Sequence, residues 1–528
     1  MTVLDLLIIF GYLAGVTLFG VWFSRRQKST ESYFVGGRKV PWWAISMSIV
    51  ATETSTITFI SVPGIAFSKG GNFEFIQLVF GYMTGRIIIS LVLIPLYFKG
   101  ELQTVYQLLG ERFGLRVKML ASSLFIVMRN IADGIRLLLT AIVLAAVYTA
   151  FFPGTSSESV IIGSVVLLGL VMIVFTYYGG MEAVIWVEVV QLVIYIGGAI
   201  AAAVVIASQI DGGFSQAVAI GQQYEKFRFI DWGIRETAYS FAVPFSSASM
   251  DFTLPVDFTK TFTFWAGLIG GSFLVMSTHG TDQYLVQRYL CTDRPRRAVA
   301  ALLSSGAVVF AQFLGFLLIG TLLFAFYEPF AETGYSTASG AFPFRAGDTV
   351  FPDFITKHMP SGLSGLVVAA IFAAALSSSL NSIAATSVND LFKPFRPDAT
   401  DSAMLKLSRW LTLFFGIVQV SVALLVMNQE RSALDSALSI ASLINGPVLG
   451  VFLVGTFLRS AKEKHALIGM VTSLLLMSYL LFLEFMKRFG FDTDVTPIAW
   501  PWYVLIGSST TFIVAFLSSR ISKQKHDS

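Results

Sequence analysis

Long apolar stretches separated by short polar segments dominate the chain. Thirteen windows contain few charged positions, and each is long enough for a helix to cross the bilayer, which takes about 20 apolar residues. The pattern therefore predicts an all-α polytopic membrane protein. Its spans are predicted at residues 4–23, 40–67, 73–98, 120–152, 160–177, 183–206, 262–284, 298–327, 362–388, 405–427, 433–458, 466–485 and 500–517.

Composition supports the membrane class. Of the 528 residues, 55% are hydrophobic and 13% are charged, with a mean hydropathy of +0.73, whereas soluble proteins carry about 25% charged residues. A water-soluble enzyme is thereby excluded. The net charge of +4 is too balanced to favour nucleic acid as a partner. The single cysteine, Cys291, excludes an intramolecular disulfide and a cysteine-based metal site.

Basic residues indicate the orientation in the membrane. No Lys or Arg precedes the first span and five follow it, so we expect the amino terminus outside. With thirteen crossings, the predicted cytoplasmic segments carry 23 Lys and Arg residues and the predicted outside segments carry 10. We expect a multi-pass protein of the inner or plasma membrane with a cytoplasmic tail at 518–528. A surface helix is expected at 214–229, in a long outside loop.

Polar side chains inside apolar spans are candidate functional residues, because in hydrocarbon each needs a protein or water partner. In span two, residues 52–56 are five consecutive polar residues, and Pro63 and Gly64 follow. Hydroxyl and β-branched residues compete with helical backbone bonds. We therefore expect a broken helix whose freed carbonyls face a cation. The alternative is a continuous helix with threonines bonded to its own carbonyls, which does not account for Glu53.

A second polar stripe lies in span nine. Ala375, Ser378, Ser379 and Ser382 follow the spacing i, i+3, i+4 and i+7, so they share one face of a helix. Hydroxyl and carbonyl oxygens suit Na⁺, by analogy with other hard cations. Small residues also allow membrane helices to pack closely, and this interpretation is compatible with the first.

Charged residues occupy three further spans. Glu188 in span six is isolated among apolar residues and needs a partner. In span four, Arg129, Asp133 and Arg136 are spaced so that Asp133 can neutralise either arginine and leave the other over. Arg86 lies in span three.

Six ordered segments resemble the sodium/solute symporter family, which includes sodium-coupled sugar, proline, sialic acid, vitamin and monocarboxylate transporters. They are ESYFVGGRKVPWW at 31–43, TVYQLLGERFG at 104–114, YGGMEAV at 178–184, TDQYLVQR at 281–288, SVND at 387–390 and GPVLG at 446–450.

The resemblance implies the leucine-transporter fold, with two five-helix inverted repeats whose first helices are broken. The repeats would be 40–206 and 262–458, with an extra first helix at 4–23 and two additional helices within 466–517. In span seven the break is expected at the glycines Gly267, Gly270 and Gly271, or at 277–280.

The resemblance also implies binding residues. The principal sodium site maps onto Ala51, Thr54, Ala375, Ser378 and Ser379. A second sodium site, present in some members, maps onto Glu188, Asn381 and Ser382, where glutamate replaces the family's aspartate. Candidate solute-lining residues are Thr52, Glu53, Ser55, Thr56, Arg86, Arg129, Arg136, Ser277, His279 and Asn445. Sialic acid transporters hold the solute carboxylate with an arginine on the helix that span four matches, a role that Arg129 or Arg136 could fill.

Together these observations predict a sodium-coupled secondary symporter that imports a small polar organic solute, such as a sugar, sialic acid or carboxylate, by alternating access. Na⁺ is the expected coupling ion, and the solute and the lipid bilayer are the expected partners. The sequence leaves the oligomeric state open, with a monomer among the possibilities. Three alternatives remain. They are a proton-coupled transporter using Glu53 or Glu188, a sodium-responsive sensor or channel without concentrative uptake, and a membrane enzyme with Glu53, Glu188 or His279 as its base.

Overall fold

The computed structural model describes residues 2–23, 29–54, 56–100, 102–152, 154, 156–242, 249–327, 347–376, 379–427, 433–488 and 496–527. Most of these residues are helical. The α-helices are α1 Val3–Phe23, α2 Thr30–Val35, α3 Trp42–Glu53, α4 Thr56–Phe67, α5 Ile76–Val92, α6 Ile94–Tyr97, α7 Gln107–Phe113, α8 Leu115–Phe151, α9 Ser157–Ser208, α10 Gly213–Gln223, α11 Gly271–Gly280, α12 Gln283–Leu290, α13 Pro295–Phe326, α14 Val350–Lys357, α15 Leu363–Leu376, α16 Leu380–Thr386, α17 Asp401–Leu425, α18 Ala433–Phe457, α19 Glu463–Arg488 and α20 Pro501–Asp527.

Shorter elements complete the description. Strands β1 Thr237–Ala242 and β2 Ser249–Leu254 pair antiparallel. Two π-helical turns cover Ala266–Gly270 and Ser387–Phe392. Four 3₁₀ turns cover Gly36–Arg38, Phe73–Phe75, Gly347–Thr349 and Lys393–Phe395.

The chain forms two compact units. The first is Met1–Phe73, Arg129–Phe229 and Gln287–Ala437, and the second is Glu74–Met128, Ile230–Val286 and Leu438–Ser528. In the first unit, α13 packs against α3, α4 and α9, and α1 packs against α9 and α15. In the second, α5 packs against α11, and α19 packs against α20.

Within the described residues, eight helices are long and apolar enough to cross a bilayer. They are Val3–Trp22, Phe73–Val92, Leu115–Thr149, Glu158–Ser208, Pro295–Phe326, Asp401–Leu425, Glu463–Leu483 and Pro501–Gln524. The polytopic helical class is confirmed, while the count of thirteen spans stays a prediction. The last helix runs to Asp527, so most of the segment predicted as a tail at 518–528 is helical.

The predicted break in span two is present. Helices α3 and α4 meet at an angle of 57°. Thr54 ends α3 with φ −78° and ψ 60°, outside helical geometry, and its hydroxyl donates to the Val50 carbonyl at 2.7 Å. The Thr54 N–H donates to the same carbonyl at 2.8 Å, so the hydroxyl shares a backbone acceptor at the residue where the helix ends.

Predicted spans five and six form one element, α9, of 52 residues. At about 1.5 Å per residue it is about 78 Å long, against a hydrocarbon thickness of about 30 Å, so it has length for two crossings. The joint is Gly180, with φ 64° and ψ −176°. This left-handed backbone geometry favours glycine. Two predicted spans therefore adjoin at a glycine, with no separate loop between them.

Spans seven and nine each contain more than one helical element. In span seven, a π-helical turn runs directly into α11, and the chain leaves helical geometry at Thr281, with φ −129° and ψ −2°. The interruption therefore lies directly after the second predicted position, 277–280, while the π-helical turn includes Gly267 and Gly270 of the first. Span nine contains α15 and α16, and residues 377 and 378 between them lie outside the described part of the chain.

Close backbone packing depends on glycines in both units. In the first unit, a Cβ at Gly320 of α13 would lie 2.1 Å from the Pro63 carbonyl oxygen of α4. In the second, a Cβ at Gly81 of α5 would lie 2.1 Å from the Gly267 carbonyl oxygen. Larger residues at either glycine would push these helices apart.

The long segment 207–261 contains more structure than the sequence predicts. Helix α10 covers the first part of the surface helix predicted at 214–229 but ends at Gln223. The β-hairpin was not predicted. In the second unit, Lys260 Nζ lies 2.7 Å from Glu74 Oε2 and 2.6 Å from Asp231 Oδ2. Hydrogen bonds from Lys260, Gly233 and Arg235 outweigh burial and lower the pKa of Asp231. These ion pairs hold the segment that precedes the hairpin against the start of α5.

The loop after α12 is buried in the first unit. The carbonyl of Cys291 accepts a hydrogen bond from Val40 N at 3.1 Å, and its thiol donates to the Gln287 carbonyl at 3.3 Å. The Cys291 side chain is fully buried. These hydrogen bonds fix the residue that follows α12 against the end of that helix and against Val40.

Lys226 covers the carboxyl end of α4. Its Nζ donates to the carbonyls of Ala66, Phe67 and Ser68 at 2.9, 3.2 and 2.7 Å, and lies 3.9 Å from the Phe324 ring centroid. Carbonyls at a helix end lack intrahelical partners and attract a cation. Lys226 is nevertheless 1% exposed, and burial lowers its pKa to about 7.

We expect Lys226→Met to flatten the rise of stability with pH. Between pH 7 and about 10.5 the unfolded chain holds the Lys226 proton more tightly than the folded protein, so stability increases with pH in this range, by at most about 1.4 kcal/mol per pH unit. Thermal unfolding in detergent from pH 7 to 9 measures the slope. The exposed neighbour Lys69, changed to methionine, is the control. Equal slopes in wild type and Lys226→Met would contradict the expectation.

Candidate sodium and solute sites

The end of α3 supplies the first predicted sodium ligands. Helix α3 ends at Glu53, and the backbone carbonyls in the last turn of a helix have no intrahelical donor. The Thr54 hydroxyl is fixed from two sides, because it also accepts from the Gln312 amide at 2.6 Å. Ala51 and Thr54 are both buried. The break therefore lies at buried residues, where backbone carbonyls are shielded from water.

Ser379 directly precedes α16 in span nine. It is fully buried, and both its backbone N–H and its hydroxyl donate to Asp133 Oδ2, at 2.9 and 2.5 Å. Since the hydroxyl hydrogen points to a carboxylate, the oxygen can offer a lone pair to a cation. A hydroxyl oxygen of this kind fits the donor chemistry of Na⁺.

Several predicted residues cannot be placed by side chain. Ala375 is in the last turn of α15, but the side chains there are not described. Ser378 and Ser55 lie outside the described residues, and the side chain of Thr56 is also undescribed. Their roles stay predictions.

Glu188 is the centre of a fully buried polar network. Its carboxylate pairs with the Arg288 guanidinium, both side chains being 0% exposed, with Arg288 Nε 3.3 Å from Oε2. The Ser48 hydroxyl donates to Oε2, and Thr52 Oγ1 donates to Oε1 at 3.2 Å. Arg288 Nε also donates to Ser48 Oγ at 2.9 Å. Glu188, which is isolated among apolar residues in the sequence, is thus surrounded by a guanidinium and two hydroxyls in the fold.

Asn381 and Ser382 belong to a neighbouring network around Gln287. The Gln287 amide nitrogen donates to Asn381 Oδ1 at 2.8 Å and to the Phe34 carbonyl at 2.7 Å. The Ser382 hydroxyl donates to the Gln287 amide oxygen. The three residues predicted to form a second sodium site therefore bond to two adjacent residues of α12. Sequence reasoning missed both, although TDQYLVQR ends with them.

Of the two arginines in span four, Arg136 pairs with Asp133, which is one of the two pairings that the spacing allows. Arg136 Nη1 lies 3.6 Å from Asp133 Oδ1, so Asp133 pairs with Arg136 and not only with Ser379. Arg129 is buried, at 8% exposure, one turn before Asp133. Both arginines lie in the first unit with the sodium-site candidates Thr54 and Ser379.

In the second unit, Arg86 is fully buried and contacts His279. Its Nη1 donates to the Tyr82 carbonyl at 3.3 Å, and its Nη2 lies 3.5 Å from His279 Nε2. His279 Nδ1 is 2.9 Å from Thr278 Oγ1, which donates to the Leu274 carbonyl at 3.1 Å. The His279 ring thus connects the Arg86 guanidinium to the Thr278 hydroxyl.

The remaining solute candidates are buried to different degrees. The Ser277 hydroxyl donates to the Leu274 carbonyl of its own helix at 2.7 Å. Asn445 of α18 is buried, and its amide nitrogen donates no hydrogen bond within the described part of the chain. Glu53 is partly buried at the end of α3, and its carbonyl accepts from Thr58 at 2.8 Å. Thr52 faces Glu188, as described above.

Comparison with known proteins gives consistent matches. The model of the sodium:solute symporter family matches residues 33–473. The chain is 30% identical to the sodium/sialic acid symporter NanT of Aliivibrio fischeri, covering 99% of this chain and 94% of the relative. It is 29% identical to the sodium/sialic acid symporter SiaT of Proteus mirabilis, covering 97% and 94%.

Solved structures agree on the fold. A substrate-bound, outward-open structure of a Na⁺-coupled sialic acid symporter, which revealed a novel Na⁺ site in that protein, superimposes with a TM-score of 0.78 at 28% identity, covering 98% of both chains. The nucleobase-cation symporter Mhp1 superimposes with a TM-score of 0.55 at 10% identity, covering 93% of this chain and 95% of Mhp1, and shows the fold alone.

These matches confirm the predicted leucine-transporter fold, Na⁺ as the coupling ion and a transport function, in place of enzymatic catalysis. They also place the protein among multi-pass plasma-membrane transporters of small solutes. The chain belongs to the sodium:solute symporter family.

Proposed function

We propose that this symporter imports a carboxylated sugar of the sialic acid class together with Na⁺. The observation that carries the proposal is the placement of two arginines, Arg129 and Arg136, on α8 in the unit that holds Thr54 and Ser379. Planar guanidinium groups suit a solute carboxylate. The sialic acid symporters with which this chain aligns over nearly its whole length support the same substrate class.

The proposed sodium site consists of Ala51, Thr54, Ala375, Ser378 and Ser379. The chemistry of the oxygen atoms at these positions supports this site. The end of α3 provides carbonyls, and the described hydroxyl of Ser379 has its hydrogen on a carboxylate and its oxygen available. Neutral oxygens backed by negative charge are suitable for a hard monovalent cation.

For the solute we propose the arginines of α8 as the carboxylate-binding groups. The polar residues proposed to contact the rest of the molecule are Thr52, Glu53, Ser55, Thr56, Arg86, Ser277, His279 and Asn445. Among them, Thr52 also bonds to Glu188, so we expect its substitution to affect stability as well as solute affinity.

We infer that one Na⁺ enters per cycle. Glu188 carries the charge that a second ion would need, but the Arg288 guanidinium already neutralises it in a site with no exposed surface. A second cation would have to compete with a buried ion pair, at a large cost in electrostatic free energy. Asn381 and Ser382 are engaged by Gln287.

The membrane arrangement is proposed from the sequence alone. We propose an external amino terminus, a cytoplasmic carboxyl terminus, and inverted repeats at 40–206 and 262–458. The excess of basic residues in the predicted cytoplasmic segments supports this orientation.

Uptake into proteoliposomes tests the proposed function. We expect radiolabelled sialic acid to accumulate under an inward Na⁺ gradient and not when choline replaces Na⁺. The carboxyl methyl ester of sialic acid, which lacks the anionic charge, should compete poorly. One Na⁺ with one carboxylate carries no net charge, so a potential set with valinomycin and K⁺ should leave the uptake rate unchanged.

Other outcomes decide between the alternatives. Potential-driven uptake with Na⁺ would show that more than one Na⁺ enters. Accumulation driven by a pH gradient in choline would instead show proton coupling. Sodium-dependent thermal stabilisation without uptake of sialic acid, neutral sugars, monocarboxylates or amino acids would favour a sensor or channel.

A further inference from the structure

Asp133 lies directly behind the serine proposed to bind sodium. Its side chain is buried, with the residue 4% exposed, and Oδ2 receives both the backbone N–H and the hydroxyl of Ser379. Asp133 is on α8 and Ser379 begins α16, so these bonds join two helices within the first unit.

The hydrogen bond changes what Ser379 can offer a cation. A hydroxyl that donates to a carboxylate carries more negative charge on its oxygen, and its lone pairs face away from the acceptor. The other proposed sodium donors are neutral carbonyls and a hydroxyl. A carboxylate one hydrogen bond behind a ligand both orients that ligand and raises its affinity for the ion.

Arg136 opposes this effect from the other side of the carboxylate. Its Nη1 lies 3.6 Å from Asp133 Oδ1, and that oxygen is buried and accepts no hydrogen bond from the described residues. A cation at this distance attracts the carboxylate and reduces the negative potential at Ser379. The charge felt by a sodium ion there depends on both residues.

We propose that Asp133 is a positioning residue that sets the affinity of the sodium site through Ser379, and that Arg136 weakens this affinity by pairing with the same carboxylate. The inference rests on the proposed sodium site and adds to it a charged residue outside the ligand set. It also predicts opposite effects for the two partners of one ion pair, which a purely structural pair would not produce.

The test measures sodium binding in detergent without solute, by ²²Na⁺ equilibrium binding and by sodium-dependent thermal stabilisation. Asp133→Asn keeps the shape of the side chain and removes its charge, and we expect affinity to fall by about 10-fold or more. Arg136→Gln removes the competing cation, and we expect affinity to rise. In the double variant, the effect of Arg136→Gln should largely disappear, because the charge that it opposes is gone.

Asp5→Asn is the matched control. Asp5 is a fully buried carboxylate of the same unit that accepts from Gly362 N and Gly365 N, at 2.7 and 2.8 Å. We expect no change in its sodium affinity. If Asp133→Asn does not fold, Arg136→Gln decides alone, since it leaves Asp133 in place.

Two failures can be told apart. Two results would show that the inference is wrong while the proposed sodium site stands. In the first, Ser379→Ala loses sodium affinity while the Asp133 and Arg136 variants match wild type. In the second, the Asp133 and Arg136 variants both lose sodium affinity. If wild type itself shows no sodium binding, the proposed site is wrong as well.

Discussion

Glu188→Gln is expected to destabilise the protein by about 3–5 kcal/mol, because it leaves the Arg288 guanidinium buried without its counter-charge. Both side chains of the pair are 0% exposed, so water cannot take over the lost interaction. The Ser48 and Thr52 hydroxyls would still contact the amide, but they cannot replace a charge. Thermal and denaturant unfolding in detergent, measured without Na⁺, give the change in stability.

A double variant separates the charge from the packing. Glu188→Gln with Arg288→Met removes both charges, and we expect it to be more stable than Glu188→Gln alone. Arg297→Gln is the control, because Arg297 pairs with Asp293 while 50% exposed, and surface pairs contribute little. A Glu188→Gln protein as stable as wild type would contradict the importance of this pair.

Ser379→Ala is expected to weaken sodium binding by 10-fold or more while leaving protein abundance near that of wild type. Partners that lie behind a metal ligand typically change affinity by about 10- to 100-fold when removed, and a direct ligand should matter at least as much. The variant loses the hydroxyl oxygen and keeps the backbone N–H that bonds to Asp133. Sodium titrations of sialic acid uptake and of thermal stability measure the half-saturating concentration.

Ser305→Ala controls for the loss of a buried hydroxyl. Ser305 of α13 is fully buried and donates to the Leu302 carbonyl at 2.7 Å, within its own helix. Its substitution should leave sodium dependence unchanged. Ser379→Thr, which restores a hydroxyl, should recover part of the affinity. Unaltered half-saturation in Ser379→Ala would remove this residue from the site.

Local chemistry explains what the sequence could predict. The break in span two coincides with the predicted run of polar and β-branched residues, where the hydroxyl and the backbone N–H of Thr54 share the Val50 carbonyl. The length of each apolar stretch and the distribution of basic residues are also local features, so they too can be read directly from the sequence. The boundary between spans five and six was placed at 178–182, where Gly180 has its left-handed geometry.

Partners distant in sequence could not be predicted. Glu188 and Arg288 are 100 positions apart. Arg288 lies in the predicted cytoplasmic segment between spans seven and eight, yet its side chain is fully buried. The bond between Asp133 and Ser379 spans 246 positions. Spacing within one helix identified Arg136 as a partner of Asp133 but could not reveal a serine on another helix. The β-hairpin is absent from the prediction, although β2, SMDFTL at 249–254, alternates polar and apolar residues in the pattern that favours a strand.

The buried thiol of Cys291 has a practical consequence for spectroscopy. It is the only cysteine in the chain, it is fully buried, and its hydrogen is directed to the Gln287 carbonyl. Thiol-reactive maleimide and nitroxide reagents should therefore not label Cys291 while the protein is folded. Pairs of cysteines introduced at exposed positions could then carry dyes or spin labels without first removing the natural residue, and their separations could be followed as Na⁺ and solute are added.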